Sequence, residues 1–169
     1  MKMDIAMTRR LTAAQLQVQL RPYLSGLIVA PNSESWTHLD PRPRVSFFLH
    51  EDPPEFPKRF FTAFSVAVQL AEGIPFQHWL IELARLLSVE FECETLCDGT
   101  NFGPDDSPYW SILWNKGEAF LADDSETDRP DQEVGPIRII EPLPHLDLQV
   151  SPGGLDDAVF SENPPDVDS

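Results

Sequence analysis

Cysteine is scarce in this 169-residue chain, with Cys93 and Cys97 the only two, and histidine is limited to four scattered positions, His38, His50, His78 and His145. Two thiols do not build a disulfide framework and fit a reducing compartment. Without a second Cys/His pair nearby they do not make a zinc site either. No H-E-x-x-H or i,i+4 histidine pair occurs, so the usual metalloprotease helix is missing. The chain also lacks a long apolar run. Nothing approaches the ~20 residues of a membrane span, and MKMDIAMTRRL has no apolar core between its charges as a secretory signal would. Cytoplasmic residence without membrane contact is therefore expected. There is no glycine-rich phosphate loop, because Gly153-Gly154 is followed by Asp156 and Asp157, which repel phosphate. No G-x-S-x-G elbow or Cys–His signature supplies an activated nucleophile.

Cations are the most informative deficit. The chain carries 28 Asp+Glu against 12 Lys+Arg, a formal net charge of −16. Residues 1–89 hold 8 acids and 9 bases and are nearly neutral, whereas residues 90–169 hold 20 acids and only three bases, Lys116, Arg129 and Arg138, a net of −17. Such a balance opposes nonspecific attraction to nucleic acid and to anionic membranes. It also makes any electrostatic steering directional.

What is present reads as one domain over residues 1–145, because the chain is long enough for a single core and short for two. Thr12 and Gln15 form a capping box, with Leu11 and Leu16 placed as a hydrophobic staple, so a short helix starts near Ala13. Leu16, Leu20 and Leu24 share a face, and Pro22 ends or kinks the helix near Arg21. Six prolines between 31 and 57 make that region mostly loop, except for the buried strand Arg44 to His50. Phe60, Phe64 and Val68 recur every four residues ahead of Gly73, which predicts a helix over Pro57–Glu72, though with the β-branched Thr62, Val66 and Val68 in it so short an apolar run is ambiguous between helix and strand. A second helix opens at Pro75, with an apolar stripe of Trp79, Leu80, Leu83, Leu86 and Leu87.

From Val89 to Leu96 the period changes to two, which predicts a half-buried strand with Glu90, Glu92 and Glu94 on one face. Asn115-Lys116-Gly117 centres a hairpin of Tyr109–Trp114 and Glu118–Ala122, with Gly117 suited to the left-handed position. Ile137 to Ile140, flanked by Pro136 and Pro142, predicts an edge strand. Residues 146–169 have no cation, several prolines and a double glycine, so a flexible acidic tail is expected there. The sum is an α+β domain: an antiparallel meander of about four to five strands covered on one face by two helices, plus the short N-terminal helix.

The densest acidic stretch is LADDSETDRPDQE, where Asp123, Asp124, Glu126, Asp128, Asp131 and Glu133 surround Arg129. An EF-hand loop fails in either register. From Asp124 it puts Arg129 at the turn glycine and Gly135 at the bidentate Glu; from Asp123 it puts Asp128 and Val134 there. No metal and no cofactor is expected. Cys93 reads as a core hydrophobe and Cys97, at a turn, as more exposed. His50-Glu51-Asp52 at a strand end is the nearest approach to a general-base cluster. The paired carboxylates Asp105/Asp106 and Asp123/Asp124 are what a hydrolase would use. Trp110, Ile112 and Trp114 point to one face of their strand, either packed beneath the helices or open as anchors of a contact patch.

SPYWSILWNKGEAFLADD, an aromatic hairpin opening into an acidic loop, and WLIELARLLSVEFECETL, a helix running into an acidic-faced strand, together resemble the small acidic immunity proteins of bacterial toxin–immunity systems. The likeness spans about Pro75 to Asp124 and is one of architecture and charge. It implies a cytoplasmic, non-enzymatic inhibitor that occludes a cognate toxin, with a basic protein as partner. On this reading the contact residues are Glu90, Glu92, Glu94, Trp110, Trp114 and the acids from Asp123 to Glu133. An acidic DNA mimic or adaptor protein, and a hydrolase using loop carboxylates, are the alternatives.

Overall fold

The computed structural model describes residues 3–30, 44–127 and 134–161. The first helix forms where its cap requires. Thr12 Oγ1 accepts the Gln15 N–H at 3.1 Å and Gln15 Oε1 accepts the Thr12 N–H at 2.8 Å, which starts α1 at Ala13–Leu20 with Leu11 and Leu16 both buried.

Among the described residues eight strands make one mixed sheet: β1 Ile5–Met7, β2 Leu27–Ala30, β3 Val45–Glu51, β4 Thr62–Val68, β5 Glu94–Asp98, β6 Trp110–Asn115, β7 Glu118–Asp123 and β8 Arg138–Pro142. Their order is β2-β3-β4-β1-β5-β6-β7-β8. Of these eight, β2 and β3 run parallel and the other neighbouring pairs are antiparallel. The second helix, α2 (Phe76–Glu90), lies over β1, β5 and β6, and α1 lies against β2. Between helices and sheet sits the main core, which includes Met7, Leu16, Phe47, Phe64, Trp79, Leu83 and Ile112; the other face carries a smaller cluster of Ala6, Phe60, Ala63, Leu96 and Leu113. The class is α+β as expected, but the sheet is larger than a four- or five-strand meander and is not wholly antiparallel.

Three expectations are corrected. The helix read over Pro57–Glu72 is β4, paired along its whole length with β3 from Val45↔Val68 to Glu51↔Thr62. A four-residue spacing satisfies a period of two as well as one near 3.6, and here the β-branched residues and the Phe47–Phe64 ring stack, centroids 4.6 Å apart, favour the strand. The covering helices are therefore α1 and α2.

The strand read over Val89–Leu96 is instead the end of α2, a turn, and then β5. Glu92 takes a left-handed φ of 49°, the Glu92 N–H bonds to Val89 O at 3.4 Å and the Cys93 N–H bonds to Ser88 O at 3.2 Å. Those two bonds are the glycine-type C-cap made without a glycine. Glu92→Gly is accordingly expected to raise the unfolding free energy by about 1 kcal/mol in urea melts, the cost of a side chain in that conformation. An unchanged or lowered stability would disprove this C-cap.

The third correction concerns the boundary expected at residue 145. Val150, Leu155 and Ala158 are buried in the main core, and Leu70 and Val159 form an isolated bridge. Backbone bonds Ala71 N–H to Ala158 O (2.8 Å) and Phe160 N–H to Gln69 O (2.8 Å) tie the segment to the chain between β4 and α2. Residues 146–161 thus belong to the packed structure, while 162–169 lie outside the described residues. The composition announced irregular backbone; it did not announce that apolar residues spaced among the acids would dock.

The hairpin is as read. β6 and β7 are joined by Lys116 (φ 51°) and Gly117 (φ 94°), both left-handed, the two-residue turn that matches strand twist. β8 is an edge strand, exposed along its length including Ile139 and Ile140. Among the described residues no helix is long and apolar enough to cross a membrane.

Candidate functional site

The register of three antiparallel strands gathers acids and aromatics at one end of the sheet. Asp98 closes β5 opposite Ser111, Trp110 opens β6 opposite Asp123, and Asp123 faces Arg138 on β8. The chain from Gly99 to Tyr109 must return across this end at close quarters. A Cβ at Gly99 would sit 2.7 Å from the Ser111 carbonyl carbon, and one at Gly103 would sit 2.6 Å from the Trp110 ring. Glycine at these two places lets the loop lie directly on β6 and on the indole.

The indole Nε1 of Trp110 donates to Asp105 Oδ1 at 2.7 Å, and the Ser107 N–H donates to the same oxygen at 3.0 Å. The Ser107 amide first, and then the indole, hold the Asp105 carboxyl below the usual aspartate range. On the other strand Asp123 Oδ1 accepts the Ser125 N–H at 2.9 Å, and Asp124 Oδ2 accepts the Ser111 hydroxyl. Ser125–Thr127 form one 3-10 turn, closed by the Thr127 N–H to Asp124 O bond at 3.0 Å, and the Gly135 N–H to Glu126 O bond at 2.9 Å ties it to the chain leading into β8. Asp98 accepts Gln77 Nε2 at 3.0 Å and the Thr100 hydroxyl at 2.7 Å. These carboxylates are held by fixed donors, so the acidic surface is preorganised.

Beside it lies a recess of about 230 Å³ into which Asp4, Asp98 and Asp124 contribute, with Phe56, Phe76 and Leu80 as apolar walls. Phe76, which lines the recess, and Tyr109, next to Pro108 of its lining, are both exposed. Apolar walls with carboxylates suit the aliphatic stem and charged head of a lysine or arginine side chain.

The residues singled out from sequence do not all meet here. Trp110, Asp123, Asp124 and Glu126 do. Glu90, Glu92, Glu94 and Trp114 sit at the opposite end of β5 and β6, where Glu94 pairs with Asn115; Glu94 and Asp98 are the two ends of β5, about 13 Å apart. Glu90 ends α2 and accepts the Tyr23 hydroxyl at 2.9 Å and Gln19 Nε2 at 3.1 Å, and Glu94 pairs with Arg59. The three glutamates therefore share no strand face. Trp114 is 6% exposed, packed in the main core on the helix side of the sheet, and does not offer an open anchor. Asp128, Asp131 and Glu133 lie outside the described residues.

Asp4, Asp98 and Asp105 were missed as contributors. Asp98 stands alone between Cys97 and Gly99, with no pattern to mark it, and Asp105 reads as one of a loop pair. Asp4 had no signal, because the three residues of β1 are too few to show a period.

Other chemistry is limited by burial and pairing. Cys97, expected at an exposed turn, is buried within β5, and Cys93, just before that strand, is buried as well. Burial pushes both thiols up, that of Cys93 to about 11, so neither is a thiolate near neutrality. Asp52 of the His50-Glu51-Asp52 run accepts two bonds from Arg10, at 2.8 and 3.2 Å, and this partner lowers its pKa. Among the described residues no three of His, Cys, Asp and Glu are grouped to hold a metal ion.

Comparison with protein-family models, with curated proteins and with solved structures finds no match to this chain.

Proposed function

We propose that the chain is a non-enzymatic inhibitor of the immunity type, resident in the cytoplasm, which neutralises a basic protein partner, a cognate toxin, through the acidic and aromatic end of its sheet. The observation that carries this reading is the convergence of Asp98, Asp105, Asp123, Asp124 and Glu126 around Trp110 and Tyr109, beside a recess shaped for a cationic side chain. An aromatic anchor with a charged rim is the usual composition of a contact surface. Gathering Asp98, Asp105, Asp123, Asp124 and Glu126 at one end of the sheet accelerates and orients encounter with a basic cleft. Enzymes acting on anionic substrates carry such clefts, which is why their inhibitors are acidic. Glu90, Glu92 and Glu94 are not part of this face.

The test starts with affinity capture from native lysate, retaining only a protein released by salt whose gene product is toxic alone and harmless when co-expressed with this chain. Reversing Asp123, Asp124 and Glu126 together to Lys is expected to slow association with that protein by about tenfold or more at low salt, with unchanged far-UV circular dichroism. Reversing Glu90 and Glu92 at the far end should change it by less than about twofold. Equal effects at both ends would move the site away from Trp110, and no salt-sensitive partner at all would end the electrostatic reading.

A further inference from the structure

The acidic recess has a neighbour. A cleft of about 770 Å³ opens between the loop joining β3 to β4 and the chain leading into β8, and Phe56 lines both cavities. Its walls are largely proline and phenylalanine rings, among them Pro54, Pro57 and Phe61, together with Val134 and Pro136. The loop is held by its own bonds. The Asp52 N–H donates to Phe61 O at 2.8 Å and the Phe60 N–H to Pro57 O at 2.9 Å, while the Arg10 guanidinium lies 4.9 Å over the Phe61 ring and forks onto the Asp52 carboxylate. Phe61 is nonetheless 37% exposed. A ring fixed in place and still open to solvent takes a guest without first being ordered.

Charge selects that guest. Asp52 and Lys58 are the ionisable side chains of the described lining, and Asp52 is answered by Arg10. Lys58 has no ion-pair partner among the described residues, so the cleft disfavours a second cation. An anion would come close to Asp4, Asp98 and Asp124 of the adjoining recess. An uncharged ring packed on proline and phenylalanine suits the cleft.

The shared wall sets the spacing. Guests touching the two sides of one ring, at about 3.5–4 Å each, stand about 7–8 Å apart. In an extended segment, residues two apart point the same way at a separation of about 6.6 Å.

We propose that the basic partner inferred above contacts this protein through an extended segment in which a basic and an aromatic residue stand two apart, the cation entering the acidic recess and the ring entering the cleft of Phe56 and Phe61. The cationic half rests on the partner reading already given; the aromatic half is separate from it.

The probes are Ac-Trp-Ala-Arg-NH2 and Ac-Arg-Ala-Trp-NH2, with Ac-Ala-Ala-Arg-NH2 as the half lacking the ring, titrated into ¹⁵N-labelled protein. The arginine of all three should shift the amide signals of Gln77 and Asp98. One order of the tryptophan peptide should also shift Lys58, Phe61 and Gly135 and bind about tenfold more tightly than Ac-Ala-Ala-Arg-NH2. Phe61→Ala should cancel that gain and leave Ac-Ala-Ala-Arg-NH2 binding unchanged. Lys58→Glu, which keeps every ring, should tighten Ac-Arg-Ala-Arg-NH2 by about threefold or more. If tryptophan adds nothing in either order, or its gain survives Phe61→Ala, the aromatic cleft is overturned and the acidic reading stands. Arginine peptides that leave Gln77 and Asp98 unmoved overturn the cation recess itself, and the paired segment with it.

Discussion

Replacing Trp79 by Ala is expected to lower the unfolding free energy by about 4 kcal/mol, the size of loss seen for a fully buried large aromatic. Trp79 is completely buried in the first turn of α2 and is among the largest side chains of the main core. It also donates its indole N–H to the Leu155 carbonyl at 3.1 Å, across 76 residues of sequence. Truncation therefore opens a cavity under the helix and at the same time releases a buried acceptor in the C-terminal segment. Trp79→Phe separates the two effects. It retains most of the apolar volume and loses the bond, so a smaller cost of about 1–2 kcal/mol is expected. Urea unfolding measures both, the midpoint shifting at constant slope if the native state is otherwise kept. A loss under about 2 kcal/mol for Trp79→Ala would mean that the helix does not rest on this side chain as the structure has it.

Glu82→Ala should cost about 3 kcal/mol. The carboxylate is 2% exposed and makes three bonds: two from Arg85 and one from the Gly153 N–H, at 2.9 Å. Its removal leaves a partly buried guanidinium and a backbone donor without partners, and such uncompensated groups account for most of the loss when one member of a buried pair is deleted. Since Arg85 reaches water, the loss falls at the low end of the range for buried pairs. The double variant Glu82→Leu/Arg85→Met removes charge and donor together and should recover most of that stability, with only the Gly153 amide left unanswered. Thermal or urea melts of the single and double variants decide it; a double variant as unstable as Glu82→Ala would show that the unpaired guanidinium is not the source of the loss.

Both predictions concern residues 146–161, the part of the chain whose composition looked least structured. Its apolar residues are few, but they are placed to meet α2. Gln149 donates its N–H to His78 Nδ1 at 3.0 Å, Gly153 reaches Glu82 and Leu155 reaches Trp79, three successive attachments along one helix. A low apolar fraction argues against an independent core. It says nothing about docking on a core already built by the rest of the chain.

The elements legible beforehand are those governed by neighbours in sequence. The capping box at Thr12 and Gln15, the left-handed turn at Lys116 and Gly117, the seven residues of β3 and the proline-flanked edge strand β8 each carry their own local signal. Alternation along β6 put Trp110, Ile112 and Trp114 on one face, and the hairpin turn set Trp110 beside Asp123. Half of the acidic site was therefore readable. β1 and β2, of three and four residues, were not, because a segment that short shows no period. β4 carried a spacing compatible with either period. The end of α2 looked like a strand because Val89, Phe91 and Cys93 alternate with glutamates across a C-cap made by a non-glycine residue.

By itself the sequence determined the α+β class, the location of the charge and the chemistry of the hairpin, since propensity, turn geometry and net charge are properties of residues and their neighbours. Tertiary structure alone decided that Asp98 and Asp105 join Trp110 while Glu90, Glu92 and Glu94 stand at the other end, that Trp114 goes inside with its indole N–H unanswered, and that the acidic C-terminal segment packs against α2. Those outcomes depend on strand order and register, which are set by pairing between residues far apart in the chain, and no local pattern records them.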